Sequence, residues 1–324
     1  MSKTAVSLFV FLFAGAVAFA QTSAPSIEEV ARRVGFSEEA RVRAAKGEVI
    51  AESLKATSDK DLALAVGAKI DAPPQAVYDF VDADKLSKFQ TVTISDGEID
   101  PANPSLAGMK LQEDTLKKLA TDPGGIFYMS EAEASKVGGA GKNGTAAALA
   151  AYQEVLAARA KAYWEQGLEG ITPYAGKGRS PAVDLGHANT AARAFLQHPE
   201  IQAEADAAPA RSPGKAEHKL YWAVQKGRDQ EAPVLIHRIL YEQDDGRAFV
   251  ERRFYSGYDY DSLQIVVGVL PTEDGNSAIV YTNHTYTSQV AGFGGSTKRS
   301  IGTKLLEKDV VAEMQRAQKT IPGG

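Results

Sequence analysis

The sequence predicts an α+β domain in which an antiparallel sheet packs against a long C-terminal helix. Two observations support this fold class. Between residues 218 and 288, turn residues separate about five short strand-like segments, as in an antiparallel meander. Residues 218–226 alternate apolar and polar side chains, whereas 263–270 is almost continuously apolar. After residue 296 the spacing of the apolar residues changes to that of a helix, which continues almost to the end of the chain.

The first twenty residues are predicted to be a signal peptide rather than part of the fold. Lys3 provides a basic start, residues 6–13 are almost wholly apolar, and Ala18 to Ala20 has the small-x-small pattern that signal peptidase cleaves. The apolar run is too short to be a typical transmembrane helix. We therefore expect a soluble protein that is periplasmic or secreted, with cleavage after Ala20 and Gln21 as the new N-terminus.

The segment 21–47 is predicted to be helical and to precede the sheet. Ser26 and Glu29 have the spacing of a capping box, in which each side chain bonds to the backbone amide of the other residue. Gly47 is typical of the residue that ends such a helix.

Two strands and a helix are expected next. The strands, at 48–54 and 62–70, are short, and the turn residues 57–60 lie between them. Pro73 and Pro74 end the second strand and begin a helix, because proline fits the first helical turn. The apolar stripe of this helix consists of Val77, Phe80 and Val81, with Leu86 and Phe89 extending it.

Residues 100–215 differ in composition and are interpreted as a helical insertion. Prolines and the glycine-dense run at 138–144 mark loops, and alanine-rich segments with helical spacing lie between them. The region has no strand pattern of its own and few large aliphatic residues with which to build a separate core. We therefore expect a single domain at 48–321 that carries this insertion.

The long C-terminal helix is predicted to begin after a tight strand-to-helix turn at 292–295, with Ser296 as its N-cap. Its apolar stripe consists of Ile301, Leu305, Val310, Met314 and Ile321. If Leu305 is fully buried in that stripe, its replacement by alanine should cost about 2–5 kcal/mol of stability. A near-zero loss would place Leu305 on the surface.

The composition excludes several classes of function. The 324 residues include 36 Lys and Arg against 41 Asp and Glu, a net charge of -5, and this acidic balance argues against nonspecific binding of nucleic acid. The absence of cysteine excludes disulfides, thiolate metal sites, iron–sulfur clusters and a cysteine nucleophile. No cofactor and no nucleic-acid partner are expected.

The motifs give little support for catalysis or metal binding. The five histidines have no short ligand spacing such as H-x-x-x-H, and His284 is interpreted as a surface or strand-pairing residue. The glycine-rich run before Lys142 is not a phosphate loop, because Asn143 stands where Ser or Thr is required. No G-x-S-x-G nucleophile elbow occurs.

Two adjacent arginines, Arg252 and Arg253, fall on one predicted strand, so one of them must point inward. A buried arginine needs an anion as its partner. Glu251, Glu242 or the headgroup of a ligand could provide it, and pairing within the protein is favoured.

The whole arrangement resembles the START-like, or SRPBCC, helix-grip superfamily. Residues 68–81, AKIDAPPQAVYDFV, look like its strand-to-helix entry, and Gly294-Gly295-Ser296 with the following residues look like its C-terminal helix. The resemblance covers about 48–90 and 218–321, and the chain is similar to secreted bacterial START-like proteins without assigned function. It implies a curved sheet around a long helix, with a space suited to lipids, sterols or polyketides.

This resemblance implies that the protein binds a hydrophobic or lipid-like small molecule without catalysing a reaction. Transient contact of the protein with a membrane is compatible with such binding. Two alternatives stay open, an SRPBCC-type enzyme such as a cyclase or hydrolase, and a structural envelope protein with a filled core. The ligand-binding candidates are an arginine and four aromatic residues with polar ends: Trp222, Arg253, Tyr255, Tyr260 and Tyr286. Such rings suit an amphipathic ligand, and Arg253 could bind its headgroup. No catalytic residue and no metal ligand are assigned.

Overall fold

The structure, a computed structural model, describes residues 26–82, 92–176, 179–193, 199–243 and 246–321. Its centre is an antiparallel sheet of eight strands in the order β1-β2-β8-β7-β6-β5-β4-β3. The strands are β1 Ile50–Ser53, β2 Asp61–Ile70, β3 Thr93–Ile99, β4 Ala216–Lys226, β5 Glu231–Gln243, β6 Gly246–Ser256, β7 Ser262–Pro271 and β8 Ser277–Tyr286. With the long C-terminal helix, this sheet confirms the predicted α+β fold class and has the shape of a helix grip.

Helices flank the sheet on both faces and at its β1 edge. They are α1 Ile27–Val34, α2 Glu38–Ala45, α3 Pro74–Asp82, α4 Glu113–Thr121, α5 Pro123–Ile126, α6 Glu131–Gly141, α7 Thr145–Gln166, α8 Pro181–Ala192, α9 Pro199–Asp206 and α10 Gly295–Thr320. Short 3₁₀ turns occur at Gly167–Gly170, Pro209–Arg211 and Ser288–Val290. In the described part of the chain, no helix combines the length and the apolar character needed to cross a bilayer.

The N-terminal segment contains two helices, α1 and α2, which Gly35 at the end of α1 and the N-cap Ser37 of α2 separate. The hydroxyl of Ser26 accepts a hydrogen bond from the amide of Glu29 at 3.2 Å, which caps α1. Residue 47 follows α2 in the left-handed conformation that glycine favours. The signal-peptide residues, and Leu86 and Phe89 of the predicted stripe, lie outside the described residues.

Helix α10 lies along β2 on one face of the sheet. Arg299 Nη1 donates to the carbonyl oxygen of Asp59 at 2.8 Å near the start of the helix. Gln318 Nε2 donates to the carbonyl oxygen of Lys69 at 2.8 Å near its end. The buried face of the helix consists of Val310, Met314 and Ala317, and Ile321 follows it.

The predicted stripe of α10 is wrong in its first half. Ile301 is 57 % exposed and Leu305 is 60 % exposed, so neither packs on the sheet. Successive residues of a helix are rotated by about 100°. Ile301 therefore lies about 180° from Val310 around the helix axis, and Leu305 about 140° from it. The apolar residues of the predicted stripe therefore lie on opposite sides of the helix and do not form a single stripe.

The opposite face of the sheet is covered by the helices between β3 and β4. Phe127 and Tyr163 from this insertion share one continuous apolar cluster with Trp222, Leu235 and Phe254 from the sheet. The rings of Tyr163 and Phe254 stack with their centroids 4.0 Å apart. The insertion and the sheet therefore have a common core.

A β-bulge in β6 changes which side chains share a face. Arg253 pairs with Ile236 and Tyr255 pairs with Leu235, so Phe254 has no opposite residue. Because Leu235 and Ile236 are neighbours in β5, they point to opposite faces. Arg253 consequently faces the α10 side of the sheet, whereas Tyr255 faces the insertion.

Candidate functional site

An apolar groove lies between the sheet, α3 and α10. It contains a cavity of about 120 Å³. The apolar residues that line this cavity come from both helices and from strands β6 to β8: Val77, Phe80, Phe249, Ile265, Val267, Ile279, Val310, Met314, Ala317 and Ile321. The two helices therefore form the roof of the groove and the sheet forms its floor.

A second hollow of about 280 Å³ adjoins the first, and Phe249 and Val267 line both. Its outer end is charged. There Arg247 forms an ion pair with Glu242 at 2.5 Å, and its guanidinium carbon lies 4.1 Å from the centroid of the Tyr78 ring. The two hollows together make a groove with an apolar inner end and a polar outer end.

Two carboxylates, Glu251 and Glu313, line the inner cavity, and they differ in their surroundings. Glu251 is buried, and its oxygens accept hydrogen bonds from Arg238 and Arg253, each at 3.1 Å. Burial acts to raise the pKa of Glu251, but the positive charges of Arg253 and Arg238 outweigh burial and lower it. Glu251 is therefore an ionised carboxylate held between two arginines.

Glu313 has the opposite shift. Burial raises the pKa of this α10 carboxyl group, although Arg316, 3.8 Å away, acts against the rise. The same cavity thus holds one carboxyl group that ionises readily and another that retains its proton more strongly.

Arg253 and Tyr260, two of the predicted site residues, lie on this side of the sheet but do not line the cavity. Arg253 Nη1 donates to the hydroxyl of Tyr260 at 3.1 Å and to the side-chain oxygen of Gln225 at 3.1 Å. Arg253 also bonds to Glu251, so the favoured pairing within the protein is present. The guanidinium of Arg253 is buried among these partners.

Trp222 and Tyr255 lie on the other face, in the core beneath the insertion. The hydroxyl groups of Tyr255 and Tyr152 are 2.7 Å apart and share a hydrogen bond. The Trp222 ring lies against Gly97 of β3, where a Cβ atom would come within 2.7 Å of the indole nitrogen. Glycine is therefore required at this close approach.

Tyr286 also faces the insertion side, where its hydroxyl lies 2.7 Å from Thr57 Oγ1. The structure thus does not bring the five predicted residues together around one cavity. Their role as ligand contacts stays a prediction, and the residues that line the groove were not identified from the sequence.

A buried polar chain on the insertion side was also not predicted. His218 Nδ1 lies 3.0 Å from His237 Nε2, and His237 Nδ1 lies 2.8 Å from the Tyr163 hydroxyl. His218 Nε2 lies 3.2 Å from Glu204 Oε2, which extends the chain. Burial, followed by the charge of Arg252, holds the pKa of His237 well below its usual value. These histidines are therefore neutral hydrogen-bonding groups.

Arg252 occupies the centre of this polar region and is fully buried. It donates to Gln264 Oε1 at 2.8 Å, Asn189 Oδ1 at 2.7 Å and the carbonyl oxygen of Ala205 at 2.5 Å. All three acceptors are neutral, and two of them come from the insertion. Both adjacent arginines are therefore buried, one on each face of the sheet.

His284, expected to be a surface or strand-pairing residue, is buried in β8 and lies 3.0 Å from Asp61 Oδ2. Within the described ranges, no group of three or more His, Asp or Glu side chains is placed to hold a metal ion. Another of the five histidines, His198, lies outside those ranges.

No protein-family model, no curated protein and no solved structure matches the chain. The groove under α10, its two carboxyl groups and its charged outer end are therefore the observations that bear on function.

Proposed function

We propose that this protein is a START-like helix-grip protein that binds an elongated hydrophobic or lipid-like molecule in the groove beneath α3 and α10, without catalysing a reaction. The observation that carries the proposal is the meeting of two hollows at Phe249 and Val267, one apolar and one with a charged end. Apolar walls supply affinity, and a few polar groups at one end orient the ligand.

The size of the groove favours an elongated ligand over a compact one. The inner cavity of about 120 Å³ is smaller than the roughly 300–1,000 Å³ of a typical small-molecule pocket. An acyl chain could fill this cavity and continue past Val267 into the outer hollow of about 280 Å³. Its polar headgroup would then lie near Arg247 and Tyr78, which line the outer hollow.

Export belongs to the same proposal. The basic start, the apolar run and the cleavage pattern at Ala20 support a carrier that works in the periplasm or outside the cell. Intact-mass measurement of the exported protein should give a chain that begins at Gln21. A chain that retained residues 1–20 would contradict export by cleavage.

Binding can be tested by closing the groove where its two hollows meet. Val267→Trp adds a large ring there, whereas Ile94→Trp adds the same ring on edge strand β3, where Ile94 is exposed. We expect the Val267 variant to bind a fluorescent fatty acid at least about tenfold more weakly, a loss of about 1.4 kcal/mol, and the Ile94 variant to bind as the unmodified protein does. Circular dichroism should show that both variants are folded.

Equal binding by the Val267 variant would place the ligand elsewhere. Lipid extraction of the purified protein, followed by mass spectrometry, would identify a natural ligand. If neither the extract nor the probe revealed any bound lipid, the proposal would fail, and the structural protein with a filled core would be favoured.

An enzyme is the second candidate, and the two carboxyl groups that line the inner cavity favour it. Two titratable groups in one cavity with pKa values shifted in opposite directions are typical of an acid and a base that work together. Glu313 would act as the acid and Glu251 as the ionised partner in a cyclase or hydrolase reaction. Turnover of a bound ligand that is abolished by Glu313→Gln, while binding persists, would establish the enzyme.

A further inference from the structure

The outer face of α10 carries apolar side chains that the fold does not use. Ile301 and Leu305 are largely exposed, and Phe293, just before the helix, is fully exposed. The inner face of the same helix buries Val310 and Met314 against the sheet. The exposed residues therefore do not belong to the core that α10 forms with the sheet, and they make a separate apolar surface.

Phe293 is held at the tip of a defined turn. Its neighbours Gly292 and Gly294 have φ angles of 77° and 73°, in the left-handed region that favours glycine. A residue at either position with a side chain would be strained there. The turn that joins the 3₁₀ segment to α10 thus presents an aromatic ring to the solvent.

Lysines flank Ile301 and Leu305 on α10. Lys298, Lys304 and Lys308 are exposed and, at helical spacing, lie on the same side of α10 as Ile301 and Leu305. None of the three forms an ion pair with a described residue, and one acidic residue, Asp309, shares that side. This cluster of cations belongs to a chain whose net charge is -5.

The position of the cations in the helix is unfavourable for α10 itself. The first turn contains Lys298 and no acidic residue, and Arg299 follows it, although the positive end of the helix dipole disfavours cations there. An anionic partner at this end would offset both the dipole and the lysine charges. The charge pattern therefore indicates a negatively charged partner.

We propose that the outer face of α10, together with Phe293, docks on the surface of an anionic lipid membrane. A helix with lysines on its flanks and apolar side chains between them is typical of interfacial binding, in which the apolar groups enter the headgroup boundary. The lysines bind the negative headgroups, and Phe293, Ile301 and Leu305 enter the boundary. The inference is independent of the ligand groove, which lies on the inner face of the helix.

The test uses flotation of the mature protein with vesicles of phosphatidylcholine alone or mixed with phosphatidylglycerol. We expect the protein to bind the mixed vesicles, and this binding should weaken as the salt concentration is raised. Binding to the neutral vesicles should be at least about tenfold weaker, because each lysine contributes electrostatic attraction only near an anionic surface. Two triple variants should each lose at least about tenfold of the binding to mixed vesicles. They are F293S/I301S/L305S and K298Q/K304Q/K308Q.

Matched controls change exposed apolar residues and exposed lysines elsewhere on the surface. They are V42S/I94S/V183S and K110Q/K142Q/K161Q. Both controls should float as the unmodified protein does, and all variants should melt at about the same temperature. Failure to bind mixed vesicles, or equal loss in variants and controls, would overturn the proposal. Self-association in solution that F293S/I301S/L305S abolishes would assign the surface to a second copy and also overturn it.

Discussion

The orientation of α10 can be tested by replacing two leucines in turn. One lies in the sheet beneath the helix and the other lies on the outer face of the helix. Leu64 in β2 is fully buried beneath the helix, whereas Leu305 is 60 % exposed on its outer face. Hydrogen-bonded strands flank Leu64 on both sides, so its surroundings can collapse only slightly after truncation. We expect Leu64→Ala to cost about 3–5 kcal/mol, in the upper part of the range for buried leucines.

Leu305→Ala should change the free energy of unfolding by less than about 0.5 kcal/mol. Exposed side chains contribute little, and alanine is the best helix former. Urea denaturation followed by circular dichroism measures both values, with an unchanged dependence on urea showing that the unfolding transition is the same. In thermal unfolding, Leu64→Ala should melt at least about 5 °C lower. A loss for Leu305→Ala as large as that for Leu64→Ala would show that α10 is rotated and that the orientation described above is incorrect.

Three further outcomes follow from the buried charges. Glu251→Ala should cost about 3–5 kcal/mol in denaturant unfolding, because it leaves two buried arginines without their anion, whereas the exposed Glu48→Ala should cost less than about 1 kcal/mol. Because the folded-state pKa of His237 is lowered, the contribution of His237 to stability is complete above the ordinary histidine pKa of 6.5 and is lost as the pH falls below that value. His237→Gln should therefore make the melting temperature decline less steeply below pH 6.5. Because burial raises the pKa of Glu313, Glu313→Gln should stabilise the protein more at about pH 8 than near the ordinary carboxyl pKa of 4.5, and an equal effect at both would refute the shift.

Most of the order of the elements could be predicted from the sequence, because β4 to β8, α3 and α10 have strong local signals, but β3 was not predicted. Apolar segments between turn residues indicate the strands from β4 to β8, and Pro74 indicates the start of α3. The length of α10 was also predictable, but not its orientation. Ile301 and Leu305 are exposed, and the hydrophobic pattern alone cannot distinguish exposed apolar residues of a helix from buried ones.

The candidate site was less predictable because it depends on long-range geometry. Alternation places Arg253 and Tyr255 on one face, but the bulge at Phe254 moves Tyr255 to the other. The sequence also gives no sign that the insertion, rather than a ligand, covers Trp222. The chain of Glu204, His218 and His237 joins residues from an insertion helix and two strands, so no short spacing could identify it.

The neutral partners of Arg252 have a consequence for how the chain folds. The five strands from β4 to β8 are consecutive and can pair by local contacts, which form quickly. Two of the oxygens that accept hydrogen bonds from Arg252 belong to Asn189 and Ala205 in the insertion, so these bonds form only when the insertion packs on the sheet. A sheet that closed without the insertion would bury a guanidinium with too few acceptors, at a cost of several kcal/mol. The sheet and the insertion should therefore unfold in one cooperative transition, and a shortened chain without residues 100–215 should not form a stable native state.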